Sequence, residues 1–399
     1  MARSISSGGP QLRVLVVAPT PFFGDRGCHV RIYEQVRGLA KVGIESRIVT
    51  YPTGRNLPDV TIDRAWKLPG IRASALGPSA SRPVLDLGVL LAAWRVVRSF
   101  RPHIIHAHLH EGIAISLVLR TIFRIPLVAD LQGSLAEELV DHGALAHRGV
   151  GIRVVRKIEK WLVQRPDCVL TSSLHGVSLL KAQGVSQDKI EPLPDGVDLE
   201  SFRPRPVDLE LRDSLGLTGK RAIVFLGVLT NYQGVDLLLD VVPLVVKKNP
   251  DVHFLIMGYP NETRYRTEVR KRGLARIVTV TGRIPYQEAS KWLCLGELAV
   301  SPKRSLTEAN GKLLNYMACG LPVVASDSPV NRELLGDYGV YAAINDVEAF
   351  SDRIHGLLGC RDQLKITGGA LRKRAERMFA WPVIIERLTN IYRRVLDGC

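Results

Sequence analysis

The sequence has 399 residues, 46% of them hydrophobic and 23% charged, which predicts two globular domains and excludes an extended disordered chain. The 54 Lys and Arg residues outnumber the 39 Asp and Glu residues and give a net charge of +15, so acidic lipids and phosphorylated small molecules are expected partners. The positive excess lies in both halves of the chain and forms no basic tail, so no nucleic-acid partner is predicted.

The first half of the chain alternates short β-branched runs with segments of helical periodicity, one of which covers residues 29–43. This βαβ order predicts a parallel sheet that is covered by helices on both faces. The strands predicted in this half are 13–19, 46–51, 104–108, 127–131 and 168–173.

A proline-rich stretch, PLPDGVDLESFRPRP at 192–206, interrupts the alternation and indicates a linker. The alternation then resumes, so the fold class is α/β with two doubly wound, Rossmann-like domains. The predicted divisions are 12–198, 199–378 and a terminal segment, 379–399, that contains a helix over 382–396. The strands predicted in the second half are 222–228, 252–258, 278–282, 298–302, 322–327 and 340–343.

Ligands of doubly wound sheets bind at the carboxyl ends of the strands, so the residues that follow each strand are the candidate site. The turn from Gly24 to Gly27 follows the first strand and opens a helix, a position that suits a phosphate group. The alternative is a tight turn that needs glycine only for its backbone freedom. The spacing does not match GxGxxG.

Three histidines, His106, His108 and His110, alternate at the end of the predicted strand 104–108. Alternation places all three on one side if the strand continues, which raises the question of a metal site. No acidic or cysteine partner elsewhere has recognisable ligand spacing. A polar strand end is therefore predicted, with no metal.

Charged and amide residues cluster at 303–315, just before a helix that is predicted to end at Gly320. A helix N-terminus with adjacent cations and a glycine can receive a phosphate, and carboxylate or carboxamide groups can hold sugar hydroxyls. The alternative is an exposed helix cap with solvated charges. The cluster comprises Lys303, Arg304, Glu308, Gly311, Lys312 and Asn315.

Six segments of the chain match motifs of a known family. They are PTPFFGDRGCHVRIYEQVRGLAKVG, RPHIIHAHLHEG, PLPDGVDLESF, FLGVLTNYQGVDLLLD, VTGRIPYQEASKWL and KLLNYMACGLPVVASD. Through these motifs, and over nearly its whole length, the chain resembles the family 4 glycosyltransferases of the GT-B fold. The resemblance implies a metal-independent enzyme that binds a nucleotide sugar mainly through its second domain and the acceptor mainly through its first. It also implies that the terminal helix crosses back to pack on the first domain.

The resemblance also implies roles around the sugar and the nucleoside. His108 matches the histidine near the transferred sugar, and Glu308 lies in the region of the first acidic residue of the E-x7-E motif, which contacts sugar hydroxyls. Asn315 takes the place of the second acidic residue, which holds the ribose. The backbone near Arg283 and Ile284 is expected to meet the base.

Around the diphosphate, the resemblance implies that Gly27 lies under the reacting phosphates and that Gly311, Lys312 and Leu313 approach them. Gly227 is a further predicted binding residue. The chain departs from the family here, because Val228 and Gln233 stand where an arginine and a lysine usually bind the diphosphate. The spacing from Glu308 to Asn315 is also one position shorter than the spacing between the two acidic residues of the E-x7-E motif. Lys303 and Lys312 are predicted to supply the missing charge, with Arg304 a weaker candidate.

Residues 151–165, GIRVVRKIEKWLVQR, are predicted to form a basic amphipathic helix. Such a helix can lie on an anionic membrane surface, although core packing is the favoured role for its apolar stripe of Ile152, Val155, Ile158, Trp161 and Leu162. The six cysteines have no pairing rhythm, and the apolar runs are shorter than the roughly 20 residues of a membrane span. A cytoplasmic location is predicted, at most in peripheral contact with the inner membrane face.

The sequence thus predicts a retaining glycosyltransferase that uses a UDP- or GDP-linked sugar and no cofactor. It is expected to form an α-linkage on a cell-envelope glycan or glycolipid. One alternative is a non-catalytic GT-B protein that binds a nucleotide sugar or a partner protein. Another is a sugar-nucleotide epimerase, which needs acid–base carboxylates that the sequence does not identify.

Overall fold

The computed structural model describes residues 11–24, 27–67, 82–141, 145–146, 149–305 and 309–398. The chain divides into two compact units. The first comprises residues 1–194 and 385–399, and the second comprises residues 195–384.

The first unit is a parallel sheet with helices packed on it. Its strands are β1 (Arg13–Ala18), β2 (Glu45–Thr50), β3 (Thr61–Arg64), β4 (Ile104–His108), β5 (Leu127–Leu131), β6 (Cys168–Thr171) and β7 (Ile190–Pro192). Its helices are α1 (Gly27–Lys41), α2 (Arg82–Phe100), α3 (Leu109–Phe123), α4 (Leu135–Asp141), α5 (Val150–Val163) and α6 (Leu174–Ala182), with a short 3-10 helix at Gln187–Lys189. The strand order is β3-β2-β1-β4-β5-β6-β7.

Strands at the centre of this sheet are buried along almost their whole length because helices cover both faces. Residues 14–18 of β1 are all buried, as are all five residues of β4 and of β5. On one face, Leu15 and Val17 pack with Val89, Ala93 and Val96 of α2 in a common core. The core therefore fixes the positions at which these strands end.

The second unit repeats this architecture with a six-stranded parallel sheet. Its strands are β8 (Arg221–Leu226), β9 (Val252–Met257), β10 (Val278–Gly282), β11 (Leu298–Ser301), β12 (Val323–Ser326) and β13 (Val340–Ala342). Its helices are α7 (Leu209–Ser214), α8 (Val235–Lys248), α9 (Glu262–Lys271), α10 (Ala289–Leu293), α11 (Lys312–Ala318), α12 (Pro329–Leu335), α13 (Val347–Leu358) and α14 (Arg361–Met378), with 3-10 helices at Tyr286–Glu288 and Gly336–Tyr338. The strand order is β10-β9-β8-β11-β12-β13.

Successive residues of β8 point to opposite faces of the second sheet, as strand geometry requires. Phe225 belongs to the core beneath α8 and α13, whereas Val224 belongs to the core beneath α11. The last helix of the chain, α15 (Trp381–Asp397), begins in the second unit, and from Ile385 onward it belongs to the first.

Every strand predicted from the sequence is present, with ends within two residues of the prediction. Two strands were not predicted. The edge strand β3 is short, polar and only partly buried, and β7 includes Pro192, which was assigned to the linker. None of the helices in the described part of the chain is long and apolar enough to cross a membrane.

Each sheet has one point at which the strand order reverses. It lies between β1 and β4 in the first unit and between β8 and β11 in the second. Connections leave such a point in opposite directions, so a crevice opens at the carboxyl ends of the two strands. His108 ends β4, and Gly227 and Pro302 directly follow β8 and β11. The fold therefore places predicted site residues at both reversal points.

Candidate functional site

In the second unit, Lys312 at the start of α11 reaches the carboxyl end of β8. Its Nζ donates to Gln233 Oε1 at 2.6 Å and lies 4.5 Å from the centroid of the Phe225 ring. A Cβ atom at Gly227 would lie 2.8 Å from this Nζ, so a side chain at that position would displace the ammonium group. The ammonium of Lys312 is therefore held beside the first residue after β8.

The segment after β8 and the segment after β11 are tied together. The backbone N–H of Arg304 donates to the Tyr232 carbonyl at 2.9 Å, and Arg304 Nη1 donates to Asn231 Oδ1 at 2.8 Å. Gly234 has a left-handed φ of +81°, and a Cβ there would lie 2.0 Å from the Pro302 carbonyl oxygen. Arg304, the weaker candidate cation, thus helps to hold the two segments together.

Lys303 follows β11 and is almost fully buried, at 3% exposure. Its Nζ donates to the carbonyl oxygen of Ala309 at 2.5 Å. A buried ammonium is costly unless hydrogen bonds or charges compensate it. Since β8 and β11 are neighbours in the sheet, Lys303 and Lys312 bring two positive charges to adjacent strand ends.

A buried amide network supports the start of α11. Asn310 Nδ2 donates to Ser301 Oγ at 3.0 Å and to Asn331 Oδ1 at 2.7 Å, and Asn331 Nδ2 donates to the Ser326 carbonyl at 2.7 Å. These bonds join the ends of β11 and β12 to the residue that precedes Gly311. Asn310 Oδ1 is buried and has no hydrogen-bond partner among the described residues. The sequence did not assign this positioning role to Asn310.

The other predicted donor-site residues differ in whether their side chains or only their backbone atoms can contact a ligand. Leu313 is fully buried in the core, so only its backbone can face a ligand, whereas Asn315 is half-buried on α11. Arg283 is exposed and its guanidinium lies 5.2 Å from the Tyr259 ring centroid, while Ile284 packs against the core. A Cβ at Gly311 would be 3.3 Å from Asp195 Oδ2, so the backbone passes close to a carboxylate.

Three predicted positions fall outside the described residues. They are Glu308, the candidate sugar-binding carboxylate, and Asp25 and Arg26 of the first glycine turn. Gly27, which closes that turn, is exposed and is the first residue of α1. It therefore lies at a helix N-terminus, as the sequence predicted.

In the first unit, His108 ends β4 and immediately precedes α3. The next residue, Leu109, has a φ of +66°, a left-handed conformation that is strained for a leucine. The imidazole of His108 is 1% exposed, and its Nε2 has no hydrogen-bond partner among the described residues. Burial, reinforced by His106 and Arg31, holds the pKa of His108 well below its usual value. His108 is therefore neutral at physiological pH.

Asp130, on the neighbouring strand β5, is the buried anion of this site. Arg31 Nε donates to Asp130 Oδ2 at 2.9 Å, and Gln35 Nε2 donates to the same oxygen at 3.1 Å. Arg31 Nη2 also donates to the Leu193 carbonyl at 2.9 Å. Burial alone would raise the pKa of Asp130, but Arg31 and the histidines hold it well below its usual value. Asp130 and Arg31 therefore form a buried ion pair beneath His108.

His106, His108 and Asp130 could be considered as metal ligands, because one candidate atom from each lies within 4.8 Å of the others. The two imidazoles are stacked, with centroids 4.4 Å apart and an interplanar angle of 28°. Arg31 already neutralises Asp130, and His106 Nδ1 lies 2.7 Å from the Tyr392 hydroxyl. The geometry favours an ion pair with fixed imidazoles over a metal site.

His110 would share one side of a strand with the other two histidines only if the strand continued past His108, and this condition is not met. The strand β4 ends at His108, and His110 is the second residue of α3. Its Nε2 lies 3.6 Å from Glu159 Oε1 on α5. His110 therefore joins two helices and is not part of the group around Asp130.

The helix α5 carries two different apolar faces, and the predicted single stripe is wrong in part. Ile152 and Leu162 are buried, whereas Ile158 and Trp161 are each 50% exposed. The exposed apolar face, at positions 150, 154, 158 and 161, follows the helical period. Five exposed basic residues accompany it, namely Arg153, Arg156, Lys157, Lys160 and Arg165. We call this face, with its basic residues, the α5 surface.

Solved structures with the same architecture identify the fold. Sucrose-phosphate synthase from Thermosynechococcus elongatus matches with a TM-score of 0.82 at 18% identity, covering 98% of this chain and all of that chain. HepE from Anabaena, solved in complex with UDP-glucose, matches with a TM-score of 0.77 at 12% identity over 98% of this chain and all of that one. At these identities the likeness establishes the fold alone. The fold is GT-B, with two Rossmann-like sheets in one chain.

Sequence comparison identifies the family. The family models described as "Glycosyl transferase 4-like domain" and "Glycosyl transferases group 1" match residues 26–196 and 220–360, respectively. The chain therefore belongs to the family 4 glycosyltransferases.

Three curated relatives are 24% to 29% identical to the chain over the residues that match. Spore coat protein SA of Bacillus subtilis is 25% identical over 57% of this chain and 64% of its own length. The GDP-mannose-dependent monoacylated alpha-(1-6)-phosphatidylinositol monomannoside mannosyltransferase of Corynebacterium glutamicum is 29% identical over 56% and 61%. The chain thus matches less than two thirds of the length of both. The D-inositol 3-phosphate glycosyltransferase of Thermobispora bispora is 24% identical over 94% of this chain and 92% of the relative.

Proposed function

We propose that this glycosyltransferase moves a sugar from a UDP- or GDP-linked donor to a cell-envelope glycan or glycolipid. The transfer retains the anomeric configuration, forms an α-linkage and uses no metal. The observation that carries the proposal is the ammonium of Lys312, which is held beside Gly227 at the strand-order reversal of the second unit.

The leaving diphosphate needs positive charge, because negative charge develops on it as the bond to the sugar breaks. The family's usual arginine and lysine are replaced by Val228 and Gln233. Lys312 Nζ lies 2.6 Å from the Gln233 side chain, so it supplies a cation where the usual lysine is missing. Lys303 and the backbone of Gly311 add to this site in the second unit. In the first unit, the N-terminus of α1 at Gly27 can offer backbone N–H groups to a phosphate.

The sugar is oriented by His108 and Glu308. His108 is neutral and its Nε2 is unpartnered among the described residues, so it can exchange a hydrogen bond with a sugar hydroxyl. The acceptor hydroxyl attacks the anomeric carbon on the face that the nucleotide leaves. The bond from that carbon to the phosphate oxygen breaks, and the phosphate accepts the acceptor's proton, so a separate general base is not needed.

The names of related proteins support the substrate classes. HepE was solved with UDP-glucose, and the Corynebacterium relative is GDP-mannose-dependent. That relative acts on a phosphatidylinositol mannoside and the Thermobispora relative on D-inositol 3-phosphate. These names support a uridine or guanosine diphosphate donor and an anionic or lipid-linked acceptor. In the proposed nucleoside site, Asn315 holds the ribose and the backbone near Arg283 and Ile284 meets the base.

The α5 surface supports attachment to the cytoplasmic face of an anionic membrane. Its exposed apolar residues can enter the headgroup region, and its basic residues can contact acidic lipids. Trp161 is well suited to a membrane interface, and the Arg165 guanidinium lies 3.7 Å from its ring centroid. Attachment of the α5 surface to the bilayer would bring the enzyme to the membrane that contains a glycolipid acceptor.

Titration calorimetry with a panel of UDP- and GDP-sugars, combined with a released-nucleotide assay, tests the enzymatic proposal. We expect one donor to give both binding heat and nucleotide release that depends on an acceptor. Binding heat without nucleotide release would instead identify a non-catalytic nucleotide-sugar-binding protein, which the neutral Val228 and Gln233 would then explain.

Co-sedimentation with phosphatidylglycerol vesicles at low salt tests the membrane proposal. Replacing Ile158 and Trp161 by serine should weaken vesicle binding by about tenfold or more, because two half-exposed apolar side chains are lost. The control is Ile366→Ser, which removes from α14 an apolar residue that is 65% exposed, against 50% for Ile158. Wild-type protein that stays in the supernatant, or an equal loss in the control, would overturn the proposal.

A further inference from the structure

Three helices of the first unit form one layer on the same side of the sheet. The helix α3 packs against both α2 and α5, and all three helices contribute buried residues to one core with the sheet. Most of the exposed large apolar residues in the described part of the chain lie on this layer or directly beside it. The exposed apolar area therefore extends beyond α5.

The exposed apolar residues of α2 and α3 recur at helical spacing. On α2 they are Val84, Leu87 and Leu91, and on α3 they are Val118 and Ile122, each between 41% and 55% exposed. Spacings of three and four residues place them on one side of each helix, away from the residues that pack on the sheet. We call these five residues, together with the α5 surface, the three-helix face.

The exposed charged side chains of α2, α3 and α5 are all basic. The acidic side chains of these helices are withdrawn from solvent, since Glu159 is buried and Asp86 and Glu111 are half-buried. The exposed basic residues are Arg95 and Arg98 on α2, Arg124 at the C-terminal cap of α3, and the five of the α5 surface. The three-helix face therefore combines apolar area with positive charge alone.

Two exposed tryptophans accompany this face, one beside α2 and the other on α5. The guanidinium of Arg95 on α2 lies 5.7 Å from the ring centroid of Trp66, and that of Arg165 lies 3.7 Å from the ring centroid of Trp161. The other three tryptophans of the chain are buried or half-buried. Tryptophan and arginine are both suited to the boundary between headgroups and acyl chains. The α2 side of the face thus repeats the Trp–Arg pair of the α5 side.

We propose that the protein docks on an anionic bilayer through the whole three-helix face, so that α2 and α3 contact the lipid as well as α5. This docking mode rests on the membrane attachment proposed above and extends the contact to two further helices. An extended exposed apolar area marks a membrane or protein contact, and its basic residues complement acidic headgroups. A second copy of the chain on the same face would bring basic side chains against one another, which like-charge repulsion opposes. Charge therefore selects the bilayer.

Co-sedimentation of the α2 variant Leu87→Ser/Leu91→Ser with phosphatidylglycerol vesicles at low salt tests the wider contact. We expect binding about tenfold or more weaker than wild type, because two half-exposed leucines are lost. The control Leu209→Ser/Ile366→Ser removes two exposed apolar residues from the second unit and should bind as wild type does.

The outcomes of this assay separate the two membrane proposals. Wild-type binding by the α2 variant, together with weak binding by the Ile158 and Trp161 variant, would leave α5 as the docking helix and overturn the three-helix contact alone. An equal loss in the second-unit control would also overturn it. Wild-type protein that stays in the supernatant would overturn membrane attachment as a whole, and the three-helix contact with it.

Quenching of tryptophan fluorescence by phosphatidylglycerol with brominated acyl chains locates the contact directly. Trp66→Phe and Trp161→Phe should each remove part of the quenching, because both exposed rings reach the bilayer. The control Trp292→Phe changes a half-buried ring of the second unit and should leave the quenching unchanged. Quenching that Trp161→Phe abolishes and Trp66→Phe leaves intact would overturn the proposal.

Sedimentation velocity without vesicles tests a second copy of the chain as the occupant of this face. We expect the sedimentation coefficient of the wild-type protein to equal that of Leu87→Ser/Leu91→Ser at every protein concentration. A wild-type dimer that these substitutions dissociate would assign the three-helix face to self-association and overturn the proposal.

Discussion

Replacement of Lys312 by methionine removes the cation on which the proposed donor site depends. Methionine keeps an unbranched apolar stem next to the Phe225 ring, whose centroid lies 4.5 Å from the lysine Nζ. A hydrogen bond to a charged group contributes about 1.5 to 3 kcal/mol. We therefore expect the nucleotide sugar to bind about 10- to 150-fold more weakly, and kcat to fall as well because leaving-group charge is less stabilised.

A second substitution tests whether the position of the charge matters. Because Gln233 Oε1 lies 2.6 Å from Lys312 Nζ, a lysine at position 233 can return an ammonium group to nearly the same place. The double variant Lys312→Met/Gln233→Lys should therefore regain most of the lost affinity. The matched control is Lys247→Met, which removes an exposed lysine at the end of α8 and should leave binding unchanged.

Calorimetry measures donor affinity in these variants, and the released-nucleotide assay measures kcat. The reasoning is refuted if Lys312→Met binds and turns over the donor as wild type does. It is also refuted if the folded double variant binds the donor no more tightly than Lys312→Met does. The ammonium would then stabilise α11 and would not bind the donor.

Two further predictions concern the first unit. Asp130→Asn leaves the buried guanidinium of Arg31 without its anion, so the free energy of unfolding, measured by urea titration, should fall by about 3 to 5 kcal/mol; a loss below about 1 kcal/mol would contradict the buried ion pair. Because the folded state holds the pKa of His108 well below the unfolded value, the unfolded chain binds the extra proton, and stability is lost as pH falls below about 6.5 by up to about 1.4 kcal/mol per pH unit. His108→Asn should remove this contribution to the slope, and an unchanged slope would contradict the assignment.

Most strands of the chain are predictable from local sequence because they are short, mainly apolar runs between polar turns. The predicted ends of β4 (IIHAH) and β5 (LVADL) agree with the structure, and all five residues of each strand are buried. β3 was missed because Thr61–Arg64 lies at the sheet edge, is polar, and is stabilised mainly by pairing with β2. An edge strand of this kind has no sequence period of its own to detect.

The site was predictable only where a motif is contiguous. Lys312 was selected from its place at a helix start, but its contact with Gln233 joins positions 79 apart, and no local pattern encodes such a contact. Asp130 carried a signal that was not used, namely a carboxylate in the middle of an apolar strand, which requires a buried partner. Nothing local identifies Arg31 as that partner.

The two faces of α5 show a similar limit. Ile152 and Leu162 turn inward while Ile158 and Trp161 turn outward, although all four are large and apolar. Helical periodicity gives the angle between residues but not which angle faces the core. The direction is set by α3 and α4, which pack against α5 in the folded unit.

The contact between Tyr392 and His106 bears on the order in which the molecule can be completed during synthesis. β4 leaves the ribosome long before α15, so through most of translation the imidazole of His106 lacks the phenol that closes its pocket. The contact between His106 and Tyr392 is therefore missing from the first unit while the second unit is synthesised. Tyr392 can contact His106 only after α15 has been synthesised, so assembly of this site depends on the synthesis of α15.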